Sequence, residues 1–388
     1  MTERLAALAA PHHLTQTETV DCFDALGRVL AEPVGSLLDV PPADNTSMDG
    51  YAMRAADVPS SGTVLPVAQR VPAGVVGHEL APGTAARVFT GAQIPPGADA
   101  VVMQEQCEAL PGEGLGQVRV NVVPAAGQWI RRRGEDVAQG ATVLAAGTRM
   151  TPQAMGLAAS VGAARLTVWR RPRVALFSTG DELVMPGEPL KPGAIYNSNR
   201  FTLRGLLLAA GCEVRDLGIV PDRLDATRAA LREAARDNDL ILTSGGVSVG
   251  EEDHLKPAAM AEGRLDLWSL AIKPGKPLAF GAVRREDGSE ALLMGLPGNP
   301  VSSFVTFLLA VRGVLAVLQG GSTALPPALP LVADFDLPQG DARREFLRAR
   351  LTPEGRVALF PNQSSGVLTS AVWADGLIDN PPRQAIRR

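Results

Sequence analysis

The sequence predicts a multidomain α/β protein built round a central, doubly wound, mostly parallel sheet. Three observations predict it. Strand-like and helix-like stretches alternate between Arg173 and about Gln319, in the manner of successive βαβ units. The stretches before and after that region are rich in Gly, Pro and short alternating runs, a texture of β structure with tight turns. The unusual polar residues of the chain fall where the α/β strands end, which is where doubly wound sheets bind ligands.

Taken in order, patterning over Thr19–Leu30 predicts a helix, with Thr19 or Asp21 as its cap and Gly27 as its stop. Alternating runs such as Ala86-Arg-Val-Phe-Thr90 and Gln117-Val-Arg-Val-Asn-Val122 predict strands in a β-rich region from Pro41 to about Gly140. Thr151–Val161 predicts a short helix with Pro152 in its first turn. In the α/β region, strands are expected at Val174–Phe177, Glu213–Val220, Leu240–Thr243, Leu265–Ile272 and Ala291–Gly295. Helices are expected at Arg200–Ala210 (closed by Gly211), Ala226–Arg236 (opened by Asp225) and Val301–Leu318. Beyond residue 322 the Pro- and Gly-rich strands suggest a small barrel.

Composition narrows the function. A chain of 388 residues predicts two to four domains, and 46% hydrophobic with 20% charged residues is ordinary for a protein with real cores. A formal net charge of −4 offers no general attraction to nucleic acid or an anionic membrane. Cys22, Cys107 and Cys212 lie far apart, and the four histidines have no zinc spacing. A reduced, cytoplasmic setting is expected, and the N-terminus lacks the apolar core of a signal peptide. The apolar stretch Val301–Leu318 is broken by Ser302, Ser303, Thr306 and Arg312, which predicts a buried helix rather than a membrane span.

Five loops carry the chemistry: Ser178-Thr-Gly-Asp-Glu182, Pro221-Asp222, Ser244 to Asp253, Lys273-Pro-Gly-Lys-Pro277 and Leu296-Pro-Gly-Asn-Pro300. Each follows an expected strand. Glycines at 245 and 246 let backbone N–H groups approach an anion closely. The carboxylates 251 to 253 would repel a phosphate unless a hard cation such as Mg²⁺ lay between. Only four of the 37 basic residues are lysines, yet Lys273 and Lys276 fall in one loop, a hint that a compact ammonium is needed there. Competing readings stand beside these: Asp181 or Asp253 as helix caps, Asp222 as a turn residue after Pro221, the glycines as a turn without ligand, the lysines as surface charge.

At this point the chain resembles the molybdopterin molybdenumtransferases, bacterial relatives of the gephyrin E domain. The resemblance runs through Ala25-Leu-Gly-Arg-Val-Leu-Ala-Glu-Pro-Val34, Asp44-Asn-Thr-Ser-Met-Asp-Gly-Tyr-Ala52, Thr90-Gly-Ala-Gln-Ile-Pro-Pro-Gly-Ala-Asp-Ala-Val-Val-Met103, Ile130-Arg-Arg-Arg-Gly-Glu-Asp136 and the five loops. It implies insertion of molybdenum, supplied as molybdate, into adenylyl-molybdopterin with Mg²⁺, phosphoanhydride cleavage and release of AMP. It also implies a homodimer whose active site is completed across subunits by the Asp49 loop, and an upstream molybdopterin adenylyltransferase as a possible partner. No nucleic acid or membrane partner is implied. The implied division is a discontinuous linker domain (residues 1–40 and 141–172), a β-rich domain (41–140), a molybdopterin-binding α/β domain (173–322) and a C-terminal β-barrel (323–388).

Carried over by motif, Asp253, Asp222, Lys273 and Lys276 are the expected catalytic residues, and Asp181, Glu182, Asp222 and Asp253 the expected metal handlers. Binding of the pterin ligand and molybdate falls to Asp49, Ser178, Thr179, Gly180, Ser244, Gly245, Gly246, Ser248, Pro297, Pro300, Ser302, Arg348 and Ser365 (or Ser364). Asp136 takes a direct role or ties down the Arg131–Arg133 run. Arg343 and Arg344 are expected as solvated charge. His254 stands where the family more usually has an aromatic, so base stacking is not expected of it. Two rival functions share parts of this pattern: a nucleotide pyrophosphatase on the same α/β domain, and a non-catalytic scaffold that binds peptides.

Overall fold

The computed structural model describes residues 2–247, 254–322 and 326–388. Its centre is a six-stranded sheet in the spatial order Glu213–Val220, Arg173–Thr179, Leu240–Ser244, Glu290–Leu296, Pro277–Arg284, Gly263–Ser269. The first four strands are parallel, Pro277–Arg284 runs antiparallel to both its neighbours, and Gly263–Ser269 again follows the direction of the first four. Alternate residues of each strand face opposite layers. Val174, Leu176, Leu240, Leu242, Leu292 and Met294 pack under the helices Ser198–Ala209 and Pro300–Leu318. Ala175, Phe177, Ile241 and Leu293 pack under Leu224–Asp237 and Leu255–Glu262. Leu5, Ala9 and Leu14 of the N-terminal segment join the first of these layers.

The strand Pro277–Arg284 is not among the sequence expectations. Leu278, Ala279, Phe280, Ala282 and Val283 are all fully buried, so the alternation that marks a half-exposed strand is missing. The expected Leu265–Ile272 strand is divided: residues 263–269 stay in the central sheet, while Ile272–Lys273 pairs in parallel with Arg344 and Glu345. Because two antiparallel strands flank it, the Lys273 loop still lies at the carboxyl edge of the parallel strands.

Around this centre lie three further units. A small cluster holds the strand pair Thr17–Asp21 and Arg165–Trp169 with the helix Pro152–Ser160, whose N-cap Thr151 accepts from Ala154 N–H. The helix expected over Thr19–Leu30 is absent. The β-branched Thr17, Thr19 and Val20 form the strand instead, and Asp21 caps only the 3₁₀ turn Cys22–Asp24. A six-stranded sheet within residues 50–120 forms the β-rich lobe. The C-terminal strands Arg344–Leu351, Val357–Leu359 and Gly376–Asn380 make a half-barrel that also takes in Ile272–Lys273.

The helical run Pro300–Leu318 has a mean hydropathy of 2.1 and is long enough to cross a membrane, but 67% of it is buried inside the protein. It contains a π-helical turn at Phe307–Val311 and serves as a core helix.

Candidate active site

The loops that leave the carboxyl edge of the sheet enclose a cavity of about 920 Å³, within the usual range for a small-molecule site. Its walls include Thr179, Gly180 and Glu182 after the first strand, Asp222 after the second, and Ser244, Gly245 and Gly246 after the third. Lys273 and Lys276 come from the hairpin loop; Pro297, Pro300 and Ser302 come from the start of the core helix; Ser364 and Ser365 come from the half-barrel. These expected residues are therefore brought together. Ser248 and Asp253, with Glu251 and Glu252, lie outside the described residues.

The cradle is shaped by backbone that only glycine adopts easily. Gly245 has φ +91°, and a Cβ there would stand 2.5 Å from the Thr179 carbonyl oxygen. Gly180 has φ +143°, and a Cβ on it would meet the Glu182 carboxylate at 2.5 Å. The Ser178 hydroxyl is fully buried, 3.1 Å from the Ser244 hydroxyl, and it pins two strand ends rather than lining the cavity. Asp181 is exposed and accepts from Asp222 N–H at 3.0 Å, so it fixes the backbone that presents Asp222.

The two lysines differ. Lys273 Nζ is 3.1 Å from Asp341 and 3.2 Å from Glu345. Burial works against its charge, yet the hydrogen bonds it donates to both carboxylates raise its pKa above the ordinary lysine value. The Asp341 carboxyl is held far below the usual range, chiefly by hydrogen bonds from the Arg343 side chain and backbone, then from Lys273. Lys276 has no partner for its ammonium among the described residues.

Three side chains stand in surroundings other than those expected from the sequence. Arg348, expected beside an oxyanion, is 1% exposed and is not among the residues lining the cavity. Its guanidinium donates to Ser370 Oγ, Phe346 O and Ser364 O, and it thereby supports the loop that lines the cavity. Burial lowers its pKa. Arg343, expected as solvated charge, lines the cavity and pairs with Asp341 at 3.2 Å. The arginine run is tied down by Asp44 and Asp39, at 2.7 and 2.6 Å from Arg132 and Arg133, rather than by Asp136. Asp49 lies on the β lobe away from this cavity's lining, where its carboxylate accepts from Thr90 N–H and Oγ at 2.7 and 2.8 Å.

Sequence reasoning missed Asn197, Asn199 and Gln363, all of which line the cavity. Asn197 caps the helix Ser198–Ala209, and Asn199 donates to the Gly298 carbonyl at 2.7 Å. The Asn197-Ser-Asn199 pattern before an apolar helix is the local signal that could have found them.

No trio of His, Cys, Asp or Glu converges tightly enough to hold a metal by itself among the described residues. Asp222 and Glu182 nevertheless share the cavity. One or two carboxylates completed by substrate oxygens and water is the donor set Mg²⁺ prefers, so these residues fit it.

A doubly wound sheet with a glycine cradle, two carboxylates and an ammonium without a partner among the described residues, all in one crevice, defines an α/β protein built to hold an anionic ligand. Residues 1–162 match the MoeA N-terminal region (domain I and II), residues 175–317 a probable molybdopterin binding domain, and residues 330–388 the MoeA C-terminal region (domain IV). The molybdopterin molybdenumtransferase of Haemophilus influenzae is 44% identical over 336 residues, 86% of this chain and 81% of that protein. Molybdopterin molybdenumtransferase 2 of Mycobacterium tuberculosis is 38% identical over 375 residues, 94% of this chain and 90% of that one. The crystal structure of the molybdopterin biosynthesis moeA protein from Pyrococcus horikoshii OT3 shares the fold with a TM-score of 0.80 at 29% identity, covering 99% of this chain and 98% of that one. The chain belongs to the molybdopterin molybdenumtransferase family and is a transferase of molybdenum cofactor biosynthesis.

Proposed function

We propose that this chain takes adenylyl-molybdopterin and molybdate, cleaves the phosphoanhydride, releases AMP and leaves molybdenum on the pterin dithiolene. The observation that carries this reading is the meeting of the glycine cradle, Asp222, Glu182 and Lys276 in one cavity. A pyrophosphate ester needs close backbone N–H donors, a means of neutralising its charge, and exclusion of bulk water.

Ser244, Gly245 and Gly246 would hold the terminal phosphate of the pterin side through backbone N–H and hydroxyl groups. Asp222 and Glu182, with Asp253, would hold a Mg²⁺ ion together with the ligand's own oxygens. That ion would supply charge neutralisation across the anhydride. Lys276 would draw in molybdate, with Ser365 and the first turn of the core helix beside it. Val301 N–H of that turn already donates to the Ser365 carbonyl at 3.0 Å, which fixes the serine loop against the helix.

The Asp49 loop fits this scheme in a homodimer, where the β lobe of one subunit would close the cavity of the other. Asp49 is pre-shaped for such a role by its bonds to Thr90. The division at residues 40, 140, 172 and 322 belongs to the same proposal, as does cytoplasmic action downstream of an adenylyltransferase.

The direct test is incubation with adenylyl-molybdopterin and molybdate, reading AMP by chromatography and pterin-bound molybdenum by mass spectrometry. Stoichiometric AMP and molybdenum-loaded pterin are expected. AMP release with no molybdenum retained would replace this reading with a nucleotide pyrophosphatase.

A further inference from the structure

We infer, on the reading of the cavity as an oxyanion site, that Glu345 is a positioning residue that sets, through Lys273, where the Lys276 ammonium stands. Glu345 comes from the half-barrel and is 4% exposed. One carboxylate oxygen faces Lys273 Nζ at 3.2 Å. The other accepts from Asp341 N–H at 3.0 Å and from Asn380 Nδ2 at 3.4 Å. The carboxylate is therefore fixed on both oxygens by a rigid surround.

Charge bookkeeping separates the two lysines. Lys273 and Arg343 stand against Asp341 and Glu345, two cations against two anions, so this group is neutral within itself. Lys273 has little field left for a ligand. Lys276 keeps its charge for the cavity, but its flexible four-carbon stem has no partner among the described residues to aim it. Its placement depends on the loop beneath.

That loop is held at three points. Lys273 pairs in register with Glu345 between parallel strands, so the same two residues join backbone to backbone and ammonium to carboxylate. Gly275, at φ +110°, presses so closely on the core helix that a Cβ would overlap Thr306 Oγ1. Leu270 N–H donates to the Lys276 carbonyl at 2.8 Å. Losing the ammonium–carboxylate half of the first anchor loosens the Lys273 end of the loop and lets the Lys276 ammonium shift, and a displacement of about 1 Å at a reacting group costs up to about a hundredfold.

The test is a double-variant cycle on the full-length chain, measuring AMP release against molybdate concentration. Glu345→Gln is expected to raise the molybdate KM about tenfold and to leave kcat at saturating molybdate within about twofold. Lys276→Ala is expected to raise the same KM, and the double variant to be no worse than Lys276→Ala alone. An unchanged KM in Glu345→Gln, or a fully additive increase in the double variant, overturns the inference. Should Glu345→Gln fail to fold, Asp341→Asn weakens the same lysine anchor from its more exposed side and is judged by the same two outcomes. An unchanged molybdate KM in Lys276→Ala is a separate result, and it overturns the oxyanion reading itself.

Discussion

At the amino-terminal edge of the central sheet, Arg170 donates two bonds of 2.7 Å to the Asp239 carboxylate, and Arg173 N–H donates a third at 2.8 Å. Arg285 close by donates to the carbonyls of Ala235, Asn238 and Glu290. At the carboxyl-terminal edge of the same sheet, Lys276 has no partner among the described residues, and glycines take the places where side chains would close the crevice. The two edges are made by the same strands. They differ in whether the protein satisfies its own charges. Charge paired internally specifies the fold; charge left facing a cavity is kept for a ligand, at some cost in stability. Variants at the two edges should therefore separate: activity without stability at one, stability without activity at the other.

The largest effect is expected at the ligand edge. Asp222→Ala should lower the rate of AMP release by about a thousandfold, near 4 kcal/mol of transition-state stabilisation, with the melting temperature little changed. A rate within tenfold of the parent protein would remove Asp222 from the chemistry. Next, Arg170→Ala should cost about 3 kcal/mol of stability by stranding the Asp239 carboxylate, as read by urea unfolding. Turnover per folded molecule should be unaltered. If activity fell instead, the two edges would not be independent. Gly245→Ala should mix both signatures, costing about 2 kcal/mol through its positive φ and blocking the cradle, with ligand affinity measured by calorimetry.

These outcomes bear on how much of the molecule could be read from the sequence. The five loops were legible because glycine and proline clusters after apolar runs leave a local trace, and the α/β alternation places them at one edge. The strand Pro277–Arg284 was not, because burial on both faces erases the period of two. The partners of the arginine run were also invisible: Asp39 and Asp44 lie about ninety residues before Arg132 and Arg133, and nothing local points to them. Asp136 is the nearer carboxylate in sequence, but the ion pairs go to the distant ones. Arg348 shows the same limit from the other side, since a motif position does not say whether a guanidinium faces a cavity or, as here, two carbonyls and a serine hydroxyl. Glu345 gave no signal at all, because its importance arises only when a strand from the α/β region enters the half-barrel.

The smallest expected effect sharpens the comparison at the amino-terminal edge. His12 there lies 3.8 Å from Glu290, with Arg264 and Arg285 also facing it. Burial lowers its pKa below the ordinary 6.5; Glu290 pulls upward, and the two arginines push down again. With the folded-state pKa below the unfolded one, the unfolded chain binds the proton more readily. The neutral imidazole then contributes stability that is whole above about pH 6.5 and is lost as the pH falls through that value toward the folded pKa. The parent protein should therefore lose more melting temperature between pH 7.5 and 5.5 than His12→Gln, while both release AMP alike at pH 7.5. Equal losses in the two proteins would mean that Glu290 cancels the burial of the ring, and that this edge tolerates an added proton as readily as the ligand edge accepts an anion.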